Sequence, residues 1–562
     1  MPKDKPSQPI SKEAAKPKRE RKVDRVQFPG RKLALKNKRH PKRRYSSLQA
    51  GLAVIAGRAV GALSRRFGLG GGTSIVGVVA QRMHPRIVEH LASQLEHGTI
   101  VITGTNGKTT TSSFIAAILR DVGLRVWRNR EGSNLIRGIA SSLVIRARPD
   151  GRLRHSGKAI SILEVDEAAL PQVVQLTSPR IVVFNNLFRD QLDRYGEVDS
   201  VMTYWERAVK MLPATTKLVL NADDPATAQL GETFSGKVLY YGIDDLTLDL
   251  VSQRSTSERH QVVDTRACPR CGHEYLYDLR FYSHMGHYYC SHCDVRRPQP
   301  DVCATHVQLD NFDRLQIQVA TATEQKEMMI PLPGLYNIYN ALAAITTALA
   351  LDLDWDPIIT GIEQSKPVFG RGERIQAEGR TLRLLLAKNP TGFNEVLRTL
   401  FSDETPRHVL FVLNDHIADG RDVSWIWDVD FERIVGQTKT LAIAGTRAQD
   451  LALRLKYAGI AQKEMLIIPP ASLRAQKNTE TIAQRARMRA KRGQEVAAAS
   501  VQPAMTPALR LYGMKNALDT ALFHVPVGET LFIVPTYTGL LEVHRELEQR
   551  GLTPRYWEGR DA

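Results

Sequence analysis

The sequence predicts an α/β protein with two sheet-containing domains, and two observations favour this fold class. Apolar strand-like runs alternate with helical stretches over residues 49–368 and again over residues 369–562, which is typical of mostly parallel sheets covered by helices. At 562 residues, the chain is also too long for one ordinary domain. We therefore expect a central α/β domain over 49–368 and a Rossmann-like α/β domain over 369–562.

Hydrophobic periodicity places the elements of both domains. In the central domain we expect helices over 52–95, separated by a run of three glycines, and a long Ala- and Leu-rich helix over 337–351. The predicted strands of the central domain are 99–103, 159–163, 180–185 and 217–220. The predicted strands of the second domain are 408–413, 440–444, 465–468 and 530–534.

The net charge of +18 is concentrated in two segments. Residues 1–45 contain 17 Lys or Arg and four Asp or Glu, and residues 474–493 contain seven and one. The rest of the chain is therefore close to neutral. We predict that residues 1–48 and about 471–505 are disordered, because they are too polar to form a core. Their charge fits either solvated tails or attraction to an anionic surface, such as membrane lipid or nucleic acid.

The composition also bears on where the protein works. No segment approaches the roughly 20 apolar residues of a membrane span, and the Lys-rich N-terminus has no apolar signal-peptide core. We therefore expect a cytoplasmic protein, and peripheral contact of the basic tail with the inner face of the cell membrane stays open. Because the body is nearly neutral, we expect no nucleic-acid partner.

A glycine-rich loop follows the first predicted strand and precedes a helix predicted over 109–122. Its sequence, Gly104-Thr105-Asn106-Gly107-Lys108-Thr109-Thr110, suits a phosphate cradle, because backbone N–H groups at a helix N-terminus point at an anion. Lys108 adds a positive charge, and Thr109 can offer its hydroxyl to Mg²⁺. The strict P-loop pattern needs glycine where this chain has Ile102. We therefore predict that ATP binds here, at a variant form of the P-loop.

Four of the five cysteines lie in one short stretch. Cys268, Cys271, Cys290 and Cys293 have C-x₂-C-x₁₈-C-x₂-C spacing, which suits a tetrahedral Zn²⁺ site closed by two turns. Four protein ligands leave no open coordination position, so we predict a structural zinc ribbon inserted at about 262–304. The fifth cysteine, Cys303, is not expected to be a ligand. The histidines of the insertion are expected to face solvent: His273, His284, His287 and His292.

Further motifs resemble the Mur ligase superfamily, whose members join an amine to a carboxylate through an acyl phosphate. Besides the loop itself, they are Glu164-Val165-Asp166-Glu167, residues 185–196, Asn221-Ala222-Asp223-Asp224, residues 333–344 and Arg371-Gly372-Glu373-Arg374. The resemblance implies a Mur-ligase-type central domain in which Thr109 and Glu164 hold Mg²⁺. It also implies that further residues contact ATP, namely Asn221, Asp224, Asn337 and Arg371.

Two departures from that superfamily bear on the metal. Its metal-binding histidine is Gln191 in this chain. Fifteen residues further on, where many members have a carbamylated lysine, the chain has Glu206. Since a glutamate already supplies the carboxylate that carbamylation creates, Glu206 either replaces that Mg²⁺ ligand or is an ordinary surface residue of a helix. Because about a hundred residues precede the loop and nearly half of them belong to the predicted tail, we expect no typical domain for a soluble UDP-sugar there.

Two loops of the second domain follow strands, where α/β sheets build their sites. They are residues 388–394 and residues 414–428, and the second contains several acids, a glycine and two tryptophans. A capped turn before a helix is the alternative interpretation of the second loop. With the Mur-like centre and the late cysteine insertion, these loops resemble the MurT family, the ligase subunits of lipid II isoglutaminyl synthase. The resemblance covers roughly residues 50–560, apart from 471–505.

That resemblance implies an ATP-dependent carbon–nitrogen ligase of peptidoglycan biosynthesis. It would convert the D-glutamate α-carboxyl of the lipid II stem peptide to D-isoglutamine through an acyl phosphate, with Lys108 and Glu164 as catalytic groups. The sequence shows no glutaminase nucleophile, so ammonia would come from a GatD-like glutaminase partner in a heterodimer. In the family an aspartate of the ligase completes the partner's Cys–His pair. Its counterpart is Asp422, which we favour, or Asp419.

Two other functions fit parts of the sequence. A folylpolyglutamate-synthase-like ligase would act on a soluble acid without a partner, but it leaves the cysteine insertion and the Trp-rich loop unexplained. A nucleic-acid-dependent ATPase with a zinc ribbon and basic tails would show nucleic-acid-stimulated hydrolysis with a steep salt dependence. The nearly neutral body argues against this second function.

Overall fold

The structure is a computed structural model, and it describes residues 47–66, 73–129, 133–190, 198–248, 267–310, 314–367, 369–403, 405–468 and 513–554. The prediction of disorder in the basic segments lies outside these residues, apart from Ser47 and Leu48. Those two residues begin the first helix, Ser47–Arg66. Gln191 and most of the chain before Cys268 in the predicted insertion also lie outside the described residues.

The central domain is organised around one large sheet. Its strands and those of the insertion are β1 Thr99–Thr103, β2 Arg125–Arg128, β3 Ala159–Glu164, β4 Ile181–Phe184, β5 Lys217–Asn221, β6 Lys237–Ile243, β7 Tyr275–Tyr282, β8 Met285–Cys290, β9 Val302–Asp310, β10 Arg314–Thr321 and β11 Gln325–Ile330. Among the described residues, nine of them form a sheet in the order β11-β10-β9-β6-β5-β4-β1-β3-β2. Pairing is parallel from β2 to β9, and β9, β10 and β11 are antiparallel.

Helices cover both faces of this sheet. They are α1 Ser47–Arg66, α2 Thr73–Met83, α3 Ile87–Ala92, α4 Lys108–Asp121, α5 Ile136–Arg146, α6 Leu170–Thr177, α7 Val198–Met211, α8 Pro225–Ala228, α9 Leu335–Ala350 and α10 Trp355–Glu363. One core lies under α4, α9 and α10, and the other under the remaining long helices. All five residues of β1 are buried, as expected for a central parallel strand.

The second domain has its own sheet and two cores. Its strands are β12 Arg371–Ala377, β13 Arg380–Leu385, β14 Arg407–Val412, β15 Thr438–Ala444, β16 Met465–Ile467 and β17 Thr530–Pro535. Its helices are α11 Pro390–Leu400, α12 Ala448–Tyr457, α13 Met514–Phe523 and α14 Tyr537–Gln549. The strand order is β12-β13-β17-β14-β15-β16, antiparallel for β12–β13 and parallel for the rest. Apolar clusters lie on both faces of this sheet.

The predicted parallel strands of both domains are confirmed, but several strands were missed. Those absent from the prediction are β2, β6, β9, β10, β11 and β12, together with β7 and β8 of the cysteine insertion. Most of them lie at a sheet edge or pair antiparallel, where one face is exposed. Their apolar residues alternate with charged or amide side chains, as in β10, so they lack the continuous apolar run of a buried strand. No described helix combines the length and apolar character needed to cross a membrane.

Candidate nucleotide and ligase site

The glycine-rich loop lies at the carboxyl edge of the central sheet, between β1 and α4. The segments that follow β3, β4 and β5 reach the same edge, because parallel strands end on one side. Gly107 is the N-cap of α4 with φ +87°, and a Cβ atom there would lie 2.0 Å from Asn340 Oδ1. A side chain at this position would therefore be both strained and blocked. The backbone is arranged to bring loop N–H groups close to an anion.

Glu164 lies behind this loop at the end of β3 and is buried. Its carboxylate accepts hydrogen bonds from Thr109 Oγ1 at 2.7 Å and Ser112 Oγ at 2.6 Å, and Arg128 Nη2 lies 3.2 Å away. Burial alone would raise the pKa of Glu164, but Arg128 and the two hydroxyls lower it overall. The carboxylate is therefore charged and adjacent to the Thr109 hydroxyl, an oxygen-rich pair of the kind that Mg²⁺ prefers.

Lys108 is the cation of the loop, and its side chain is partly buried. Its Nζ donates to Gly104 O and lies 2.7 Å from Glu167 Oε1. Burial would lower the pKa of Lys108, yet Glu167, with Asp166 and Asp190, raises it overall. The lysine is therefore protonated beside the loop amides. Glu167 belongs to the motif Glu164-Val165-Asp166-Glu167, but the sequence does not predict its ion pair with Lys108.

Two asparagines after β4 hold the loop in place. Asn186 accepts a hydrogen bond from Asn106 N through its side chain at 2.9 Å and from Thr105 N through its carbonyl at 3.0 Å. Asn185 Nδ2 donates to Thr111 Oγ1 at 3.0 Å. These contacts attach both the glycine-rich loop and the start of α4 to the residues that directly follow β4.

Of the four further residues expected to contact ATP, Asn221, Asp224 and Asn337 lie in segments that pack around the loop. Asn221 and Asp224 are fully buried, and both hydrogen-bond to the segment after β4. Asn221 Nδ2 donates to Asn185 O at 3.1 Å, and Leu187 N donates to Asp224 Oδ2 at 2.7 Å. Asn337 accepts a hydrogen bond from Asn340 Nδ2 at 3.0 Å at the start of α9. Arg371 begins β12 opposite Leu385, at the boundary of the second domain.

Glu206 lies apart from the buried carboxylate of Glu164. It is an exposed residue of α7, and among the described residues it has no hydrogen-bond or ion-pair partner. The described residues therefore do not bring Glu206 into contact with Thr109 or Glu164. Residues 191–197, which precede α7, are outside the described part of the chain.

The second domain reaches the loop through the segment between β13 and α11. Lys388 Nζ lies 2.7 Å from Asp190 Oδ2, and Asn389 Nδ2 donates to Asn106 Oδ1 at 3.1 Å. Burial would raise the pKa of Asp190, but Lys388 and Lys108 lower it overall. The sequence placed these residues in two separate motifs, and their contact across 198 positions of sequence could not be predicted.

The four cysteines come together as the spacing predicts. Their Sγ atoms all lie within 4.8 Å of one another, with Cys268 and Cys293 at 3.6 Å and Cys271 and Cys290 at 3.4 Å. A regular tetrahedron with Zn–S bonds of about 2.3 Å has sulfur atoms about 3.8 Å apart. The arrangement therefore fits a four-thiolate metal site at the base of the β7–β8 hairpin. Cys303 lies on β9, and its Sγ is 3.8 Å from Ala320 O.

The expectation that all four nearby histidines face solvent was wrong for two of them. His284 is fully buried with Nε2 3.4 Å from Asp224, and half-buried His287 has Nε2 2.8 Å from Ile243 O. Both lie where the hairpin packs on the central domain, so their rings are covered. His273 and His292 stack on each other with ring centroids 4.0 Å apart.

The acidic loop after β14 contains two aspartates in different surroundings. Asp419 is buried, and its carboxylate accepts hydrogen bonds from Thr538 N at 2.8 Å and from Thr538 Oγ1. Burial raises the pKa of Asp419 overall, although the Thr538 bonds oppose this. Asp422 is exposed, and the Ser424 N–H donates to its Oδ1 at 2.8 Å, which lowers the pKa of Asp422. Asp419 holds the loop, whereas Asp422 presents a charged carboxylate at the surface.

The fold and the variant phosphate loop define the class of protein as a Mur ligase. Residues 102–270 match the Mur ligase middle domain family. Among solved structures, a pseudomurein peptide ligase type C from Methanothermus fervidus is similar with a TM-score of 0.53 and 22% identity, covering 81% of this chain and 79% of that one. MurF from Acinetobacter baumannii gives a TM-score of 0.53 at 16% identity, with 84% and 79% covered. These two likenesses concern the fold alone.

The second domain narrows the class, and the chain belongs to the MurT family of ATP-dependent ligases. Residues 386–497 match the MurT ligase C-terminal family. The chain is 34% identical over 410 residues to the lipid II isoglutaminyl synthase (glutamine-hydrolyzing) subunit MurT of Staphylococcus aureus, covering 73% of this chain and 87% of the relative. It is 33% identical to the subunit of the same name from Streptococcus pneumoniae, with 74% and 88% covered.

Proposed function

We propose that this chain is the ligase subunit that amidates the D-glutamate α-carboxyl of the lipid II stem peptide, using ammonia from a GatD-like glutaminase in a heterodimer. The observation that carries the proposal is the similarity to MurT subunits over 87% of the length of the relative, through both domains. A likeness confined to the central domain would have supported only a general Mur ligase. The proposed site of action is the cytoplasmic face of the membrane, where the lipid-linked substrate would be reached.

The chemistry has two transfers. The γ-phosphoryl group of ATP passes to a carboxylate oxygen and ADP leaves. Ammonia then forms the C–N bond, phosphate leaves from the same carbon, and one proton is released from nitrogen. Lys108 and the loop amides would stabilise the negative charge that spreads over the transferring phosphoryl group. Mg²⁺ held by Thr109 and Glu164 would neutralise phosphate charge. The charged, hydroxyl-bonded state of Glu164 supports this assignment.

The domain boundaries at 49–368 and 369–562 are part of the proposal. Helix α10, the last helix of the central domain, ends at Glu363. Strand β12, the first strand of the second sheet, begins at Arg371. The second sheet is parallel apart from β12, which supports a Rossmann-like assignment. In this scheme the second domain positions the loop through Asn389 and presents Asp422 to the glutaminase.

We also propose that the four cysteines hold a structural zinc ion. The cluster lies in a very small core with Tyr275 and Tyr288, whose ring centroids are 5.1 Å apart. A segment of this size cannot bury enough surface to fold without further support. The hairpin also touches the second domain, since Arg398 Nη1 donates to Phe281 O at 2.6 Å. Zinc would therefore fix a part of the molecule on which both domains pack.

Replacing buried Cys268 with serine should remove the zinc and destabilise the protein by about 3 kcal/mol or more, because the free energy of metal binding is free energy of folding in a small metal-held segment. Elemental analysis of the purified chain and urea unfolding measure the two effects. The matched control is Cys303→Ser, which should keep its zinc. A wild-type chain purified under reducing conditions without zinc would contradict the proposal.

We propose Glu206 as a Mg²⁺ ligand because of the resemblance of this chain to the Mur ligase superfamily alone. If it binds the metal, Glu206→Gln should raise the Mg²⁺ concentration needed for half-maximal activity several-fold, because one anionic ligand is lost. A Mg²⁺ titration of amide formation measures this. The matched control is Arg207→Gln, a change at the exposed neighbour on the same helix, and it should leave the Mg²⁺ dependence unaltered. An unchanged Mg²⁺ dependence for Glu206→Gln would make Glu206 an ordinary surface residue.

A reconstituted reaction tests the function as a whole. The purified chain, a glutaminase partner, lipid II, ATP and glutamine should yield D-isoglutamine-containing lipid II, detected by mass spectrometry. Omitting the partner and adding ammonium should give the same product. Failure to turn over ATP with any muropeptide would overturn the proposal. Activity on a soluble carboxylic acid without a partner would indicate a folylpolyglutamate-synthase-like ligase instead.

A further inference from the structure

Helix α1 exposes its large apolar residues. Leu48, Leu52, Ile55 and Leu63 have exposed fractions of 82%, 59%, 49% and 53%. At 100° per residue they fall on one side of the helix, and the exposed residues Ala59 and Ala62 lie between them. We call these six residues the α1 stripe. The second domain also has a small exposed apolar cluster of Trp427, Leu453 and Tyr457. The α1 stripe differs because it runs along the whole helix, and a contiguous apolar surface of this kind marks an interaction site.

The opposite side of α1 explains why the stripe faces outward. The buried residues of that side are small: Ala50, Ala53, Val54, Gly57, Gly61 and Ser64. They allow close packing, since a Cβ atom at Gly57 would lie 2.8 Å from Val76 O of α2. A helix that merely covers a core places its large apolar residues inward and polar residues outward. In α1 the large apolar residues face outward and small residues face the core, so the sequence provides for a second apolar environment on the outer side.

Arginines flank the stripe on both sides. On one side the turn that contains Pro149 packs against Gly51 of α1, so closely that a Cβ atom at Gly51 would lie 2.4 Å from Pro149 O. The same turn carries the exposed residues Arg148 and Arg152. On the other side Gln49 Nε2 donates to Met83 O at 3.1 Å, which brings the end of α2 alongside. The exposed arginine there is Arg82, and exposed Arg66 ends α1 in line with the stripe. One acid, Asp150, accepts the Arg152 N–H at 3.0 Å.

The charge of the preceding chain has the same sign. Residues 1–45 contain 17 Lys or Arg and four Asp or Glu, and they lead directly into α1. An apolar stripe, a rim of arginines and a basic segment together suit a surface that carries negative headgroups above an apolar layer. A protein partner would have to offer both an apolar groove and a surrounding acidic field. A bilayer with anionic lipids offers both without any specific fold.

We propose that the α1 stripe is a docking site for the surface of an anionic lipid bilayer. The helix lies in the interface with Leu48, Leu52 and Ile55 between the headgroups, and the arginine rim contacts phosphates. This inference does not depend on the ligase reaction, although a lipid-linked substrate would make such contact useful. The binding test uses no lipid II, so its failure would leave the proposed function untouched.

Flotation with vesicles tests the proposal. The full chain should bind vesicles of phosphatidylcholine with one third phosphatidylglycerol and bind pure phosphatidylcholine more weakly. The double variant Leu52→Glu/Ile55→Glu should bind the anionic vesicles about tenfold or more weakly, because two apolar side chains lose their burial and gain charge. The matched control is Phe523→Glu, since Phe523 is 83% exposed on α13 of the other domain. Its vesicle binding should equal that of the wild type.

Two further measurements separate the alternatives. Thermal unfolding of the double variant should match the wild type, because the substituted residues are exposed. Deleting residues 1–45 should weaken binding to the anionic vesicles and make that binding less dependent on salt. The shortened chain should still bind these vesicles through the α1 stripe. Equal vesicle binding by the wild type and the double variant would overturn the proposal. So would a double variant that loses self-association or glutaminase binding instead, since the stripe would then be a protein interface.

Discussion

Replacing Lys108 with methionine should lower the rate of amide formation about 10³-fold. The lysine ammonium lies beside the loop amides, and a preorganised cation at a transferring phosphoryl group contributes this much to catalysis. The lysine is also 2.7 Å from Glu167, so its loss leaves a buried carboxylate without that partner. Some loss of stability, about 1–3 kcal/mol, is therefore expected as well. Steady-state kinetics with ammonium as the nitrogen source measures the catalytic effect without the glutaminase.

Glu167→Gln is the control for this prediction. It breaks the same ion pair while keeping the ammonium at position 108. If Lys108 acts on phosphate, the glutamine variant should retain far more activity than Lys108→Met. Equal losses in the two variants would mean that the ion pair is structural. A methionine variant with more than a tenth of the wild-type rate would refute the catalytic role of Lys108.

Replacing Asp422 with asparagine should abolish glutamine-dependent amidation and spare the reaction with free ammonium. An exposed, charged carboxylate can orient a histidine of the partner and stabilise its imidazolium, and loss of such a group costs about 10⁴-fold in other triads. Asp422 has this exposure, and the Ser424 N–H fixes one of its oxygens. Glutamine hydrolysis and amide formation, measured side by side in the complex, separate the two activities.

Asp419→Asn should behave differently. Because Asp419 is buried against Thr538, the change should loosen the whole acidic loop and lower stability. Loss of both the glutamine and the ammonium reactions in Asp422→Asn would refute the triad assignment. Full glutamine-dependent activity in Asp422→Asn, with loss only in Asp419→Asn under conditions where both variants are folded, would move the assignment to Asp419.

The sequence predicted the parts of the site that depend on local pattern. The loop at Gly107 needs glycine for its backbone, and four cysteines at fixed spacing need only two turns to meet. Such features are specified within short stretches of chain. The central parallel strands were equally predictable, because a strand buried on both faces is apolar throughout.

The missing parts depend on contacts between distant segments. The pairing of Lys388 with Asp190 joins two domains, and no short-range pattern encodes it. Burial of His284 follows from how the cysteine hairpin docks on the central domain, which the spacing of ligands does not determine. The sequence of α1 shows one side of small residues and one of large apolar residues, but only the structure shows which side is covered.

The contact of Asn389 with Asn106 has a thermodynamic consequence. Asn389 follows β13 and the acidic loop follows β14, so both leave the same edge of one sheet. In the proposed function, nucleotide and glutaminase would therefore both contact segments that leave this one edge of the second sheet. If binding of the glutaminase changes the affinity for nucleotide by some factor, binding of nucleotide must change the affinity for the glutaminase by the same factor, because thermodynamic coupling is reciprocal. Two titrations on the same complex should return one coupling free energy.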